Sequence, residues 1–203
     1  MSDHRPFPLP GARAQYGPDK LVDVLHIDLH LRPDLAAKRL DGVTTTTVRA
    51  IEDGVARLVL DAVDLDVRAV RRADGTALPF RSTSERLEIA VEPPLARGDE
   101  LVFAVEYAVE NPRRGLYFIE REPKHVWTQS QDSDARFWFP CFDYPAEKQT
   151  TSATVVVPKG QFALANGALV ERRDEGDTTV FRYEQRVPHA TYLVTMVAGT
   201  FSE

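Results

Sequence analysis

Residues 100–110 read ELVFAVEYAVE, and this stretch decides the fold class. Leu101, Phe103, Val105, Tyr107 and Val109 fall on one register, with Glu100, Ala104, Glu106 and Glu110 on the other. A period of two puts alternate side chains on opposite faces of an extended chain, so the pattern predicts a strand with one buried face. Working outward, Leu25, Ile27, Leu29 and Leu31 alternate with His26, Asp28 and His30 in LHIDLHL. RLVLDAV (57–63), ERLEIAV (85–91), TSATVVV (151–157), TVFRYEQRV (179–187) and TYLVTMVAG (191–199) add further strands. Turn chemistry separates them: Asp53-Gly54, Asp74-Gly75, Pro93-Pro94, Arg97-Gly98 and Asn166-Gly167.

Many short strands at intervals of about ten residues predict an all-β domain, an antiparallel β-sandwich. The one helix-like fragment is PDLAAKR (33–39), which LDG cuts off. We expect residues 1–20, polar and proline-rich, to form an extended arm and residues 21–203 to form a single domain. An irregular block from about 120 to 150 interrupts the strands, and a connection that long in a compact domain points to function.

Composition narrows the function classes. The chain has 203 residues, 43% of them hydrophobic and 28% charged, with a formal net charge of −6. That suits a soluble globular domain. The charges are interspersed, so no basic stripe is available for a phosphate backbone, and no nucleic acid is expected as partner. No apolar run approaches membrane-spanning length and the N-terminus lacks a signal-peptide core, so no membrane association is expected. A single cysteine, Cys141, excludes an internal disulfide, and together these features predict a cytoplasmic location.

Tests for catalytic machinery fail one after another. His26 and His30 have the spacing that chelates zinc on a helix, but on a strand they stand about 13 Å apart, too far for one ion. No histidine is followed by glutamate, so H-E-x-x-H is absent. Cys141 lies between Pro140 and Phe142 without a cationic neighbour to activate it. Asp132, Asp134 and Asp143 lack the glycine and distal glutamate of a calcium loop and fit better as turn caps or partners of Arg136 and Lys148. No nucleophile elbow, phosphate-binding loop or dinucleotide fingerprint occurs. We therefore expect no catalytic residue and no metal ligand in this chain.

What remains is TQSQDSDARFWFPCFDYPAEK, residues 128–148. It resembles the N-terminal domain of the M1 family of zinc aminopeptidases, the group that includes aminopeptidase N and leukotriene A4 hydrolase. That family's pattern runs approximately T-Q-x-(E/Q)-x-x-x-A-R-x-x-F-P-C-x-D-x-P-x-x-K. The chain matches it at Thr128, Gln129, Gln131, Ala135, Arg136, Phe139, Pro140, Cys141, Asp143, Pro145 and Lys148. LHIDLHL, RRGLYFI, FALANG and TYLVTMVAGTF extend the likeness. Tyr144 departs from it, since the family often has glutamate there, and RFWFPC also resembles the aminopeptidase-like part of a general transcription factor subunit that lacks peptidase activity.

The resemblance implies a saddle-like β-sandwich covering the active site of a following domain, which would hold the zinc and the general base. The present chain would then be inactive alone. Gln131 stands where the family's acceptor for the substrate's free α-ammonium group stands, and Gln129, on the same face of an extended segment, is the second choice. The expected partners are a peptide N-terminus and the downstream catalytic domain of the same polypeptide. Arg136, Asp143 and Lys148 are expected to fix the segment through charge-assisted bonds, with Phe137, Trp138, Phe139 and Phe142 as its packing. Two alternatives stay open: a non-catalytic scaffold like the transcription-factor relative, and a free-standing adhesion or carbohydrate module.

Overall fold

The computed structural model describes residues 20–201. The expected arm at 1–20 lies, but for Lys20, outside the described residues. Period-two burial runs clearly along the strands at 22–34, 39–50 and 100–107. β1 (Val22–Asp34) and β2 (Arg39–Ala50) make a long hairpin, and β2 pairs with β7 (Glu100–Glu110), the strand quoted first. Leu101, Phe103, Val105, Tyr107 and Val109 are all buried. β4 (Asp66–Arg72) flanks β7.

On the other side of β1 lies β10 (Gln149–Pro158), followed by β13 (Thr178–His189) and β12 (Ala168–Glu175), giving the order β12-β13-β10-β1-β2-β7-β4. The β1–β10 pairing is parallel, with His26 beside Thr150 and Leu31 beside Val155. The all-β, antiparallel-rich reading thus holds with one parallel pair inside it. Alternation shows which face of a strand is buried but not the direction of its neighbour, so this pair was not legible beforehand.

Two smaller antiparallel sheets complete the fold. One contains β11 (Phe162–Ala165), β14 (Met196–Gly199), β9 (His125–Gln129) and β8 (Gly115–Ile119), in that order. The other contains β3 (Val55–Asp61), β6 (Arg86–Leu95) and β5 (Phe80–Ser82). The core joins Ile27, Leu29, Leu31 and Phe103 of the large sheet to Leu58, Leu60, Leu87 and Ile89 of one small sheet and Val126, Ala163, Met196 and Ala198 of the other. Each sheet hides its apolar face against another, which offsets the entropy of ordering the strands.

Two local expectations change. Residues 35–38 are the turn of the β1–β2 hairpin, not a helix. Asp34 Oδ1 accepts the N–H groups of Ala36 and Ala37, each at 2.9 Å, and strand pairing closes the turn from Asp34 to Arg39. The block at 120–150 is also less irregular than expected, because β9 occupies part of its first third and β10 begins at Gln149.

On the outer face of β1, His26 and His30 are half-buried rather than fully solvent-facing. His26 Nδ1 lies 2.8 Å from Thr150 Oγ1 and its Nε2 lies 3.1 Å from Ser152 Oγ. Burial lowers both imidazole pKa values from the ordinary 6.5, Asp28 partly opposing it and, at His30, Arg32 adding to it. A depressed pKa favours the neutral ring in the folded state, so its contribution is present above 6.5 and is lost as pH falls through the folded value. The urea midpoint is expected to drop between pH 7.5 and pH 5.5, and less so in His26→Gln. Equal pH dependence in the two proteins would remove His26 from this account.

Candidate functional site

The segment 128–148 begins as the end of β9 and keeps alternating past it. Val126, Thr128 and Ser130 are buried, while Trp127, Gln129 and Gln131 are exposed. Two buried hydroxyls peg the path. Thr128 Oγ1 accepts the N–H of Met196 on β14 at 2.9 Å and lies 3.0 Å from Thr195 Oγ1. Ser130 Oγ accepts the indole N–H of Trp138 at 3.0 Å, and its carbonyl accepts the N–H of Asp134 at 2.9 Å. Gln129 and Gln131 therefore stand on the outward side of a backbone held from below. Among the described residues neither glutamine side chain makes a hydrogen bond, so both amides are available to an external group.

After Gln131 the chain turns, makes a single 3₁₀ turn over Ala135–Phe137, and drives Trp138 and Phe139 into the core. Their rings meet edge to face with centroids 4.5 Å apart. Phe142 packs partly buried against the same core, and Phe137 lies under the guanidinium of Arg113 at 5.2 Å.

The charged frame keeps Arg136 and Asp143, loses Lys148 and gains Asp61. Arg136 donates from Nε to Asp143 Oδ2 at 3.1 Å and to the Ser133 carbonyl at 2.8 Å, and from Nη2 to the Asp143 carbonyl at 3.0 Å. Its Nη1 lies 2.9 Å from Asp61 Oδ1 at the end of β3, and Asp61 also pairs with Arg86. Asp61 Oδ2 accepts the Asp143 N–H at 3.1 Å, and Asp143 Oδ1 accepts the Thr191 hydroxyl at 2.8 Å. Burial pushes the Asp61 carboxyl up, and Arg136 and Arg86 oppose it. Lys148, expected in this frame, is exposed and has no ion pair among the described residues. Its neighbour Glu147 is tied down instead: Oε1 accepts the Val24 N–H at 3.1 Å and Oε2 lies 3.1 Å from Lys20.

Asp61 was missed because it lies 75 residues before Arg136 in sequence, inside an ordinary strand pattern. Cys141 exchanges backbone hydrogen bonds with that same residue and is fully buried. Burial first, then Asp143 and Asp61, push its thiol well above the ordinary range, which suits a structural rather than a nucleophilic role.

Gly115 opens β8 where that strand meets the segment. With φ at +77°, a Cβ there would stand 2.2 Å from the Asp134 carbonyl oxygen and 3.1 Å from the Trp138 ring. Gly115→Ala is expected to lower stability by about 2 kcal/mol or more, through both left-handed strain and displacement of the turn after Gln131. A thermal midpoint within 2 °C of the parent would refute this close approach.

Neither glutamine borders the groove of about 550 Å³ beside β11, lined by Phe162, Leu164, Arg172, Val197 and Phe201 among others. Among the described residues, no three His, Cys, Asp or Glu side chains converge as metal ligands. Nor is any described helix long and apolar enough to cross a membrane.

Residues 24–193 match the model of the peptidase M1 N-terminal domain. The chain is 30% identical over 199 residues to a leukotriene A-4 hydrolase of Xenopus laevis, covering 90% of this chain and 32% of that protein. To aminopeptidase M1-D of Oryza sativa subsp. japonica it is 35% identical over 187 residues, covering 86% of this chain and 21% of that one. The M1 zinc metallopeptidase of Deinococcus radiodurans superposes with a TM-score of 0.78 at 27% identity, over 88% of this chain and 42% of that structure. A two-domain M1 zinc metallopeptidase bound to L-arginine superposes with a TM-score of 0.79 at 28% identity, with the same coverage. The chain thus spans a third or less of the curated relatives and about two-fifths of these solved structures. On the strand order, the match over 24–193 and the eleven ordered positions of the 128–148 segment, the chain belongs to the M1 peptidase family, as its N-terminal domain.

Proposed function

We propose that this domain forms one wall of the substrate site of a zinc-dependent aminopeptidase and that Gln131, with Gln129 beside it, receives the free N-terminus of a peptide. The observation that carries the reading is the pair of exposed amides held by the buried pegs Thr128 and Ser130, at the positions of the family motif. An α-ammonium group has three N–H donors and needs converging oxygen acceptors. Each glutamine amide offers an oxygen, and the fixed backbone sets the point from which it reaches, so only the side-chain torsions are left for the substrate to order.

Neither residue transfers a proton in this reading. They set which peptide bond reaches the reactive centre by fixing where the chain begins. In this reading the zinc is held by a downstream domain of the same polypeptide, and no hydrolytic step is assigned to this chain. Taken alone, the 203-residue chain is expected to show no peptidase activity and no stoichiometric zinc. We place the protein in the cytoplasm, as its lone buried cysteine suits a reducing compartment.

The test uses the full-length gene product. Gln131→Ala is expected to reduce kcat/KM for a dipeptide amide by about 5- to 150-fold, the equivalent of 1–3 kcal/mol for a lost hydrogen bond to a charged group. N-acetylated peptides, which carry no ammonium group, should be poor substrates of the parent and the variant alike. Unchanged kinetics on the free N-terminus would remove Gln131 from the site. A gene product without H-E-x-x-H beyond Glu203 would favour the non-catalytic scaffold instead.

A further inference from the structure

The segment that carries Gln129 and Gln131 is braced by a short stretch of chain that belongs to none of the sheets. Residues 191–195 make one 3₁₀ turn over Thr191–Leu193 and then lead into β14. At the start of this strut the Thr191 hydroxyl donates to Asp143 Oδ1 at 2.8 Å. At its end Thr195 Oγ1 lies 3.0 Å from Thr128 Oγ1, which also accepts the Met196 N–H at 2.9 Å. The strut therefore ties both ends of the segment. Thr128, Asp143 and Thr191 are all buried, so water does not compete for these bonds.

One side chain holds the strut itself. The 3₁₀ turn closes through the Leu193 N–H to the Ala190 carbonyl and the Val194 N–H to the Thr191 carbonyl, each at 3.0 Å, and strand pairing resumes only at Met196. Between them the Leu193 carbonyl and the Thr195 N–H have no backbone partner among the described residues. Asn166 serves both: its Nδ2 donates to the Leu193 carbonyl at 3.0 Å and its Oδ1 accepts the Thr195 N–H at 2.6 Å. A side-chain amide carries the same donor and acceptor as a peptide group, so Asn166 stands in for a missing strand neighbour.

Asn166 is in turn fixed to the large sheet. It lies at the corner between β11 and β12, where Gly167, at φ +90°, approaches β13 so closely that a Cβ would meet the Glu184 carbonyl. Tyr183 of β13 also donates from its hydroxyl to the Ala163 carbonyl of β11 at 2.8 Å. Support thus runs from β13 to the β11–β12 corner, through Asn166 to the strut, and from the strut to Thr128 and the backbone of Gln129.

We propose that Asn166 is a positioning residue for the ammonium site: it touches no substrate and acts by holding the strut that fixes the base of Gln129 and Gln131. The proposal rests on the proposed function and adds to it a residue outside the 128–148 segment. Loosening the strut displaces both amides together, and small displacements of positioning groups are costly in rate.

Steady-state kinetics of the full-length gene product, in a double-mutant cycle with Gln131, test this. Asn166→Ala is expected to lower kcat/KM for a dipeptide amide about tenfold, the scale of two lost hydrogen bonds. In a Gln131→Ala background the same change should cost no more than about threefold, the remainder acting through Gln129. A merely structural role would cost the same factor in both backgrounds, and that additivity would overturn the proposal. Amide hydrogen exchange at Thr195 and Met196 should rise about tenfold in Asn166→Ala while β2 and β7 stay protected, and unchanged exchange there would also overturn it. Asn166→Asp keeps the acceptor for Thr195 and drops the donor to Leu193, so it should lose about threefold and carries the same cycle if the alanine variant fails to fold. If Gln131→Ala leaves turnover unchanged, the substrate reading falls and the positioning role falls with it. If Gln131→Ala weakens turnover and Asn166→Ala does not, only the positioning role falls.

Discussion

Arg136→Met is expected to destabilise the domain by about 3 kcal/mol and to dissolve the geometry of the 128–148 segment with it. Arg136 is the only cation bonded to Asp143 among the described residues, and Asp143 is 4% exposed. Methionine fills much of the space of the arginine stem but leaves that carboxylate buried without a counter-charge. Asp61 is less affected, because it keeps Arg86. The cost is therefore mainly the desolvation of one unpaired charge rather than loss of packing. Adding Asp143→Asn to the variant should recover part of the loss, since a neutral amide in that place needs no counter-charge. Urea denaturation of the four proteins in this double-mutant cycle measures the coupling. A single Arg136→Met variant within 1 kcal/mol of the parent would show that the pair is dispensable.

Trp138→Ala should cost about 3–5 kcal/mol, the range for removing a fully buried large aromatic. The indole is 0% exposed, packs edge to face on Phe139 and donates to Ser130. Two effects separate in a second variant. Trp138→Phe keeps much of the volume but removes the N–H, leaving the Ser130 hydroxyl buried without its donor, at about 1–2 kcal/mol. Because Ser130 lies between Gln129 and Gln131, the phenylalanine variant should also weaken N-terminal recognition in the full-length protein more than its small stability loss suggests. Chemical denaturation and kcat/KM on a free N-terminus, measured on the same variant, separate the two effects. A stability loss with no kinetic change would mean that Ser130 does not position the glutamines.

Both predictions concern side chains that hold the candidate residues rather than touch a ligand. Glutamine amides have little intrinsic reactivity, so their value in this site lies in where they are kept. Trp138 fixes them from the core side, Asp143 and Arg136 from the turn, and Gly115 lets β8 approach closely enough to complete the support.

The sequence by itself determined several of the long strands with their buried faces, and the shared face of Gln129 and Gln131, because alternation is a local property: each side chain's face follows from its parity along an extended backbone. It left β2, β4, β5, β9 and β12 unread. It also determined the family, through eleven ordered positions in one segment. Only the tertiary structure decided which distant residues complete the site. The parallel docking of β10 on β1, Asp61 as a partner of Arg136, and Glu147 rather than Lys148 as the tied side chain each join residues far apart in the chain. Such contacts arise when sheets close over a shared core, and nothing in the parity of a single strand records which neighbour the closure will bring.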